Sequence, residues 1–231
     1  MVLKRLMAPG YWPIEKKTKK FVIDPVPGPH SKYTCIPVAV LLREVLHHAR
    51  IMAEVKTIMN NSLVKIDGRV RKEPGFGMGI MDVLSIGDEH HRMIATKHGL
   101  KISRIDKKEA GIKLLRIDNK IIINKGKTQL NFHDGTNMLS EDNYKTGDVI
   151  VYDFNEKKIK GVIKLQKDTA VLVIKGNNIG SIGKVDDILV TRSSMENQVV
   201  VDLGERKVNL PKSYVFAVGS DKPVINLGEG A

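Results

Sequence analysis

Apolar residues recur at helical spacing in one early segment of the chain, with charged and histidine residues between them. The apolar positions are Val38, Leu41, Leu42, Val45, Leu46 and Ala49. Pro37 precedes them, and proline favours the first helical position because the amide proton that it lacks would be unpaired there anyway. The pattern predicts an amphipathic helix that begins at about Pro37.

A second, shorter helix is predicted directly afterwards. Met52, Val55 and Met59 share one side of it, and Lys56 lies on the exposed side. Asn60-Asn61 is the expected end, because asparagine tolerates the left-handed conformation that often follows a helix.

Beyond these helices the apolar period changes to the two-residue period of strands. Asp67-Gly68 lies between two short alternating runs, which is a strong local signal for a tight hairpin turn. Alternation puts Arg69 and Arg71 on one face of the second strand and Val70 on the other. Residues 80–86 are predicted to form a further strand.

From about residue 103 onward, short β-type runs dominate the sequence. They cover residues 112–117, 120–123, 149–154, 158–165, 170–174, 199–203 and 214–218. Asp118-Asn119 and Thr146-Gly147-Asp148 are predicted to be turns between them. Strands this short and frequent are typical of small barrels, and we expect a domain boundary near Gln166-Lys167-Asp168.

The first 35 residues are rich in proline and in basic residues, so no long helix is expected there. The cations are Lys4, Arg5, Lys16, Lys17, Lys19 and Lys20. We interpret this segment as an extended arm, mobile without RNA, in which Tyr11 and Trp12 accompany the lysines into RNA. A solvated, disordered terminus is the alternative.

Together the elements predict an α+β protein of several domains. Residues 1–35 would be the basic arm, and residues 36–102 a small RNA-binding domain of two helices plus a hairpin. Residues 103–168 would form a central β domain, and residues 169–231 a second β domain with a C-terminal tail. Both β domains are expected to be small and barrel-like.

The charge of the chain indicates what it binds. Lys and Arg exceed Asp and Glu by 38 − 26 = 12, so the net charge is +12. A folded protein this basic usually meets a polyanion, most often a phosphate backbone and less often an anionic membrane surface. The single cysteine, Cys35, excludes an internal disulfide and cannot build a zinc site alone. Since no apolar run approaches the roughly 20 residues of a membrane span, a cytoplasmic protein without a membrane partner is expected.

The RNA-binding residues are predicted from cations that cluster on rigid elements. Such cations follow phosphate geometry with little loss of side-chain entropy, and arginine can hold a phosphate with two hydrogen bonds. In the helix–hairpin domain they are Arg43, Arg50, Lys56, Lys65, Arg69, Arg71 and Lys72. The cations named above for the N-terminal arm are also predicted to bind RNA. A solvated charged face is the alternative.

The two helices followed by Asp67-Gly68-Arg69-Val70-Arg71 resemble the alpha-L RNA-binding motif of ribosomal proteins, pseudouridine synthases and some tRNA synthetases. Further signatures follow the order of a known family: Leu3-Lys4-Arg5-Leu6, Trp12-Pro13-Ile14, Pro27-Gly28-Pro29-His30-Ser31, Met81-Asp82-Val83, Gln129-Leu130-Asn131-Phe132-His133-Asp134-Gly135 and Pro211-Lys212-Ser213-Tyr214-Val215-Phe216. Nearly the whole chain thus resembles the archaeal and eukaryotic (e-type) family of small-subunit ribosomal protein four. The resemblance implies contact with small-subunit ribosomal RNA and with neighbouring ribosomal proteins.

The last domain resembles a KOW module, which implies an SH3-like barrel. The resemblance rests on Val171-Leu172-Val173-Ile174, Gly176, Gly180, Gly183 and Val185. A glycine-rich turn presents backbone N–H groups that can bind phosphate. Lys175 and Lys184 flank the turn and complete the predicted RNA-binding set, whereas Asn177 and Ser181 stand where the family is expected to have basic residues.

No catalytic, metal or cofactor site is predicted. Neighbours in the pairs His47-His48 and His90-His91 point apart, and no cysteine or carboxylate cluster completes a metal site around them. His133-Asp134 lacks an activated nucleophile, and Asp134-Gly135 is expected to be a turn.

The sequence therefore predicts a non-catalytic structural protein of the small ribosomal subunit, cytoplasmic and monomeric outside the ribosome. Two alternatives stay open. The alpha-L motif also occurs in RNA-modifying enzymes, although only small β units follow it here. KOW modules also occur in transcription elongation factors, an interpretation that leaves the arm and the helix–hairpin domain unexplained.

Overall fold

The computed structural model describes residues 2–123, 126–140, 142–204 and 206–227. Helices and antiparallel sheets are mixed, and strands predominate. The chain divides into two compact units: the first runs to Ile94 and includes His98–Gly111, and the second contains Ala95–Lys97 and continues from Ile112. The expected domain boundaries at residues 35, 102 and 168 stay predictions. The end of the predicted tail, residues 228–231, lies outside the described residues.

The first predicted helix is shorter and less regular than its apolar pattern suggests. α1 spans Val38–Val40 and passes into a π-helical turn, Leu41–Val45. Pro37 lies one position before α1 with extended backbone angles, not at the first helical position. His47 takes a positive φ of 56°, which ends the helical path before the last apolar position of the pattern, Ala49.

The second predicted helix is confirmed, since α2 spans Met52–Asn60. The Glu54 carboxylate accepts hydrogen bonds from the backbone N–H groups of Arg50 at 2.7 Å and Ile51 at 3.4 Å, which satisfies donors at the start of the helix. The left-handed residue after α2 is Ser62, with φ 59°, whereas Asn61 has φ −70°. Other helical segments include α3 (Lys107–Ala110) and the 3₁₀ turns Arg5–Met7, Lys32–Thr34 and Lys212–Tyr214.

The strands that begin in the first unit form one five-stranded antiparallel sheet and two short ribbons. They are β1 (Val2–Lys4), β2 (Phe21–Ile23), β3 (Ile36–Pro37), β4 (Val64–Ile66), β5 (Arg69–Val70), β6 (Gly77–Met78), β7 (Val83–Ile86), β8 (Glu89–Thr96) and β9 (Gly99–Arg104). The sheet has the order β5-β4-β7-β8-β9, while β1 pairs with β2 and β3 with β6. The strand predicted over residues 80–86 is present as β7, which begins only at Val83, after the positive φ of 66° at Met81. No strand was predicted at β8 or β9.

One apolar core joins the helices, the hairpin and the first residues of the chain. Val55 and Met59 from α2 are buried together with Val64 and Ile66 from β4. Trp12 belongs to the same core. Burial of this much apolar surface stabilises the first unit by the hydrophobic effect, at about 25 cal/mol per Å².

The N-terminal segment differs from the expected extended, mobile arm, because it is part of this core. Trp12 and Val22 are buried. The Trp12 indole N–H and the Tyr11 hydroxyl both donate to the Cys35 carbonyl oxygen at 3.0 Å. Proline content correctly predicted the lack of a long helix, but apolar side chains fold the segment back onto α1 and α2.

Strands from Ile112 onward form two five-stranded antiparallel sheets. They are β10 (Ile112–Ile122), β11 (Thr128–Phe132), β12 (Asn137–Ser140), β13 (Val149–Asp153), β14 (Lys158–Ile163), β15 (Ala170–Val173), β16 (Ile182–Leu189), β17 (Gln198–Asp202), β18 (Lys207–Pro211) and β19 (Val215–Gly219). The sheet orders are β12-β11-β10-β13-β14 and β18-β17-β16-β15-β19. The strand-rich second half is therefore confirmed.

A β-bulge stands where the sequence predicts a turn in the first of these sheets. β10 runs without a break through Asp118-Asn119, and its register with β11 shifts between Ile117 and Asn119. A bulge bends a strand without ending it, so polar residues that favour turns are compatible with it. The two predicted runs on either side are thus one strand.

Candidate nucleic-acid interface

The β4–β5 hairpin presents predicted RNA-binding residues on a rigid turn. Asp67 and Gly68 have positive φ angles of 50° and 74°, which is the geometry of a two-residue turn that matches strand twist. The Asp67 carboxylate accepts a hydrogen bond from the Val83 backbone N–H at 2.9 Å. The predicted tight turn is confirmed, and this bond ties it to β7.

The register of the hairpin decides where its cations point. Lys65 lies opposite Val70, and Ile66 lies opposite Arg69. Directly opposed residues share a face, so Arg69 and Lys65 leave the sheet on opposite faces. Both are exposed while Ile66 is buried. The hairpin thus carries positive charge on both sides of its edge.

Arg71 is held more firmly than its neighbours. Its guanidinium carbon lies 4.6 Å from the centroid of the Phe76 ring, which is a cation–π contact. Its backbone N–H donates to the Val64 carbonyl oxygen at 3.2 Å. The Arg71 side chain is half-buried, and its charge therefore has a fixed position beside the hairpin.

Four cations on α2 and at the β4–β5 hairpin are exposed and make no side-chain hydrogen bond or ion pair with any residue that the structure describes. They are Lys56 on α2, Lys65, Arg69 and Lys72. Arg50 is also exposed, close to the carboxylate of Glu54. An exposed cation without an internal carboxylate keeps its full charge for a polyanion, so these residues remain the best candidates for phosphate contacts.

Arg5 was predicted to bind RNA, but the structure places it inside the protein with 2% of its surface exposed. Its Nη1 donates to the Glu15 carbonyl oxygen and, at 3.1 Å, to Thr18 Oγ1. Its Nη2 lies 3.1 Å from Glu44 Oε1, and its Nε donates to the Phe21 carbonyl oxygen at 3.4 Å. Arg5 therefore positions the loop between β1 and β2, and its side chain is committed to acceptors inside the protein.

Arg43 is a weaker candidate than its sequence position suggests. Its Nη2 lies 2.8 Å from Glu44 Oε1, the same oxygen that Arg5 binds, and its side chain is largely buried. One carboxylate thus neutralises part of the charge of two arginines. Nothing in the amino-acid pattern distinguishes this arginine from Arg50, which lies exposed.

The loop between β1 and β2 carries exposed lysines that Arg5 helps to position. They are Lys17, Lys19 and Lys20, with Lys4 on the adjoining strand. Lys4 lies directly opposite Phe21, and the Lys20 ammonium lies 5.4 Å from the centroid of that ring. Lys16 is half-buried and donates to the Ala8 carbonyl oxygen at 3.4 Å. The loop therefore forms a second basic surface in the first unit.

The two lysines that flank the glycine-rich turn of the second unit have different surroundings. Gly176 and Gly180 have φ angles of 87° and 84°, which confirms that the turn needs left-handed residues. Lys175 is exposed and makes no side-chain hydrogen bond or ion pair within the described ranges. Lys184 instead forms an ion pair with Asp221, so it is the weaker candidate of the two.

His133 and Asp134, which the sequence places side by side, both have structural roles. His133 Nδ1 accepts a hydrogen bond from the Arg116 backbone N–H at 3.2 Å. Asp134 is buried, 3.0 Å from the Lys113 ammonium, and accepts hydrogen bonds from Thr136. Burial tends to raise the pKa of Asp134, but Lys113 and Thr136 outweigh it and hold that pKa below its usual range. Gly135 has a φ of 74°, as a turn requires.

Two histidines of the described residues converge on one glutamate. His48 and His91 both approach Glu89 Oε2, at 3.2 and 3.7 Å. No group of three or more metal-ligating side chains occurs among the described residues. In the same ranges, no helix has the length and apolarity needed to cross a bilayer.

Sequence reasoning missed two basic residues of the second unit, Arg116 and Lys212. Both line a cleft that also contains the predicted residue Lys175. Arg116 lies in an apolar strand and Lys212 follows a proline, so neither belongs to a basic cluster in the sequence. Only the tertiary arrangement brings the three together.

Comparisons with known proteins agree with the sequence signatures. A family model described as Ribosomal family S4e matches residues 87–159, and one described as RS4NT (NUC023) domain matches residues 2–33. The small ribosomal subunit protein eS4 of Methanothermobacter thermautotrophicus is 41% identical over 99% of this chain and 96% of its own length. That of Methanosphaera stadtmanae is 40% identical over 97% of this chain and 95% of its own length.

The chain belongs to the S4e family of ribosomal proteins. The crystal structure of the 30S ribosomal protein S4e from Thermoplasma acidophilum resembles it with a TM-score of 0.72 and 28% sequence identity, over 81% of this chain and 96% of that chain. The family predicted from the sequence signatures is thereby confirmed. Because the S4e relatives match along nearly their entire length, they favour a ribosomal protein over an RNA-modifying enzyme or a transcription factor.

Proposed function

We propose that this S4e protein is a structural constituent of the small ribosomal subunit and binds its ribosomal RNA, without catalysing a reaction. The observation that carries the proposal is the set of exposed cations on the hairpin and α2 that have no internal carboxylate partner. Together with family membership, this set supports contact with the RNA phosphate backbone.

The mechanism follows from the polyelectrolyte character of RNA. Each phosphate that a lysine or arginine neutralises releases condensed counterions, which favours binding at low salt. The rigid β4–β5 turn and the Arg5-anchored loop hold their cations in place before RNA arrives, so little side-chain entropy is lost on binding. Because aromatic residues make up only 5% of the chain, recognition rests on backbone and shape more than on base stacking.

Neighbouring ribosomal proteins are the second class of partner that we propose. Ile122, Val190 and Met195 expose more than 70% of their surfaces in the second unit. Single exposed apolar side chains are common on protein surfaces, so this proposal rests mainly on the relatives, which are named as proteins of the small ribosomal subunit. The proposed location is the cytoplasm, on ribosomes, and the proposed state outside them is a monomer.

The domain interpretation supports the same role. We retain the alpha-L motif for α1, α2 and the β4–β5 hairpin, and the KOW interpretation, with an SH3-like barrel, for the part from residue 169. The five-stranded sheet of β15–β19 and the left-handed glycines Gly176 and Gly180 support the KOW interpretation. We also retain a central β domain over residues 103–168, which the five-stranded sheet of β10–β14 supports.

Fractionation of the native protein tests the proposed function. Cell extract is sedimented, and the protein is located with an antibody or a tag. We expect one copy in each small subunit and retention after a moderate salt wash. A soluble pool bound to RNA polymerase would favour a transcription factor, and base modification of transcribed ribosomal RNA on incubation with the protein would favour an enzyme. Either result would overturn the proposal.

A further inference from the structure

A cleft in the second unit is lined by three cations from distant parts of the sequence. Its volume is about 350 Å³. Arg116 comes from β10, Lys175 from the turn after β15, and Lys212 from the 3₁₀ turn before β19. Thr146, which precedes β13, completes this side of the cleft. The fold thus collects hydrogen-bond donors that the sequence keeps far apart.

Arg116 is held rigidly by hydrogen bonds from Nε and Nη1, while its Nη2 has no acceptor among the described residues. The residue is 8% exposed. Its Nε lies 2.7 Å from Asp118 Oδ1, and its Nη1 donates to the Ser213 and Val215 carbonyl oxygens at 3.0 and 3.1 Å. A guanidinium has five N–H donors. The two on Nη2 bind no acceptor among the described residues, so they remain for a ligand.

Lys212 is a second cation with spare donor capacity. Its ammonium donates to the Thr146 carbonyl oxygen and, at 3.2 Å, to Thr146 Oγ1. Burial lowers its pKa; Asp148 opposes this effect and the nearby charge of Arg116 adds to it. Its ammonium forms no ion pair within the described ranges, and its third proton has no acceptor there. An anion in the cleft would stabilise this partly buried charge.

Two carboxylates, those of Asp118 and Glu196, also line the cleft and reduce its positive charge. Asp118 is already paired with Arg116 Nε, on the edge of the guanidinium that Nε shares with one of the two Nη2 protons. The other Nη2 proton points away from this carboxylate. Glu196 is exposed, and solvent screens its charge. The lining residues thus carry three cations against two carboxylates. The further carboxylate near Lys212, that of Asp148, is buried outside the lining and accepts backbone hydrogen bonds from Lys145 and Leu165.

We propose that this cleft binds one phosphate group of the RNA backbone, with Arg116, Lys175 and Lys212 as its donors. The inference rests on the proposed function and adds a contact point in the second unit. A phosphodiester carries one negative charge and several acceptor oxygens, which match a fixed guanidinium edge and two ammonium groups. Free inorganic phosphate shares this chemistry, and the experiments distinguish the two sources.

The first experiment measures how salt affects binding of the full chain to transcribed small-subunit ribosomal RNA. Lys175→Gln and Lys212→Gln are combined in one variant, because both lysines serve the same phosphate. We expect the slope of log affinity against log salt to fall by about 0.7 to 0.9, the value for one phosphate contact. Lys157→Gln with Lys158→Gln is the matched control, since it removes two exposed lysines of the same unit. The control should keep the slope.

Three results would overturn the inference. One is an unchanged slope in the cleft variant. Another is a fall about twice as large, which would mean that the two lysines bind separate phosphates. The third is an equal fall in the control, which would mean that net charge alone matters. Lys175 is exposed and unpaired, so Lys175→Gln alone keeps the test valid if the double variant unfolds; its fall must then exceed that of Lys158→Gln.

A second experiment identifies the source of the phosphate. Lysines of the full chain are acylated with an amine-reactive ester in the presence of RNA or of inorganic phosphate, and modification is read by mass spectrometry. We expect RNA to protect Lys175 and Lys212 at concentrations where inorganic phosphate does not. Protection by inorganic phosphate alone would overturn the inference.

Failure of the inference and failure of the proposed function give different results. If the wild-type protein neither binds ribosomal RNA nor travels with small subunits, the proposed function fails. If it does both, while the cleft variant binds like wild type and hairpin variants bind less, only the cleft assignment is wrong.

Discussion

Arg5 Nη2 lies 3.1 Å from Glu44 Oε1, although the two residues are 39 positions apart. This ion pair joins the N-terminal segment to the π-helical turn that follows α1. Other donors of Arg5 bind the carbonyl oxygens of Glu15, in the loop between β1 and β2, and of Phe21, at the start of β2. Arg5 therefore anchors the segment from inside the protein, although it belongs to a basic cluster in the sequence. The neighbouring lysines are the residues that it positions.

Replacement of Arg5 with Met should destabilise the first unit without removing a direct RNA contact. The carbonyl oxygens of Glu15 and Phe21 would lose a charged donor, and Glu44 would keep only Arg43. A lost hydrogen bond to a charged group costs about 1.5 to 3 kcal/mol. We expect urea denaturation of the full chain to show this loss. Lys4→Met is the control, because Lys4 is exposed and should leave stability unchanged. Equal stability of the two variants would contradict the anchoring role.

Neutralisation of Arg69 and Arg71 together should weaken binding to the cognate ribosomal RNA and flatten its salt dependence. Each lost phosphate contact should reduce the log–log slope by about 0.7 to 0.9. Filter-binding titrations of Arg69→Gln with Arg71→Gln check this, with Lys157→Gln and Lys158→Gln as a control of equal charge. An unchanged slope would refute a role of the hairpin in phosphate binding.

Replacement of Lys113 with Met should strongly destabilise the second unit. Lys113 and Asp134 form a buried ion pair, and removal of one partner leaves an uncompensated buried charge at a cost of about 3 to 5 kcal/mol. The double variant Lys113→Met with Asp134→Asn should recover part of this loss, as measured by a double-mutant cycle in urea. Strict additivity of the two single changes would show that the pair is not coupled.

Stability of the first unit should fall as the pH rises from about 9 to about 12. Burial raises the pKa of Tyr11 to about 12 and that of the Cys35 thiol to about 11, and the carboxylates of Asp82 and Asp24 add to the effect on Cys35. Since both folded-state pKa values are raised, the stabilisation is complete below the ordinary values and is lost as pH rises through the raised ones.

Urea denaturation at a series of alkaline pH values measures this loss. Tyr11→Phe should flatten the alkaline limb, because the unfolded state then gains no tyrosinate at that position. Its folded state keeps the hydrogen bond from the Trp12 indole to the Cys35 carbonyl oxygen. The same pH dependence in wild type and Tyr11→Phe would assign the loss to other groups.

Local patterns in the sequence correctly predicted the elements that local interactions decide. The spacing of Met52, Val55 and Met59 predicted α2, and Asp67-Gly68 predicted the hairpin turn. Both are decided within a few residues, by helical periodicity and by residues that tolerate positive φ. Elements with weaker signals were missed, including β8, β9 and β18. Asp118-Asn119 favours a turn by composition, but pairing with β11 on one side keeps it in a strand as a bulge.

The sequence by itself determined the family, the strand-rich second half and the excess of positive charge. Only the tertiary structure decided which cations are available to a ligand. Arg5 is neutralised by Glu44 and Lys184 by Asp221, while Arg116 and Lys212 meet Lys175 in one cleft. The physical reason is that the availability of a charge depends on burial and on carboxylates distant in the chain, and folding alone brings those groups together.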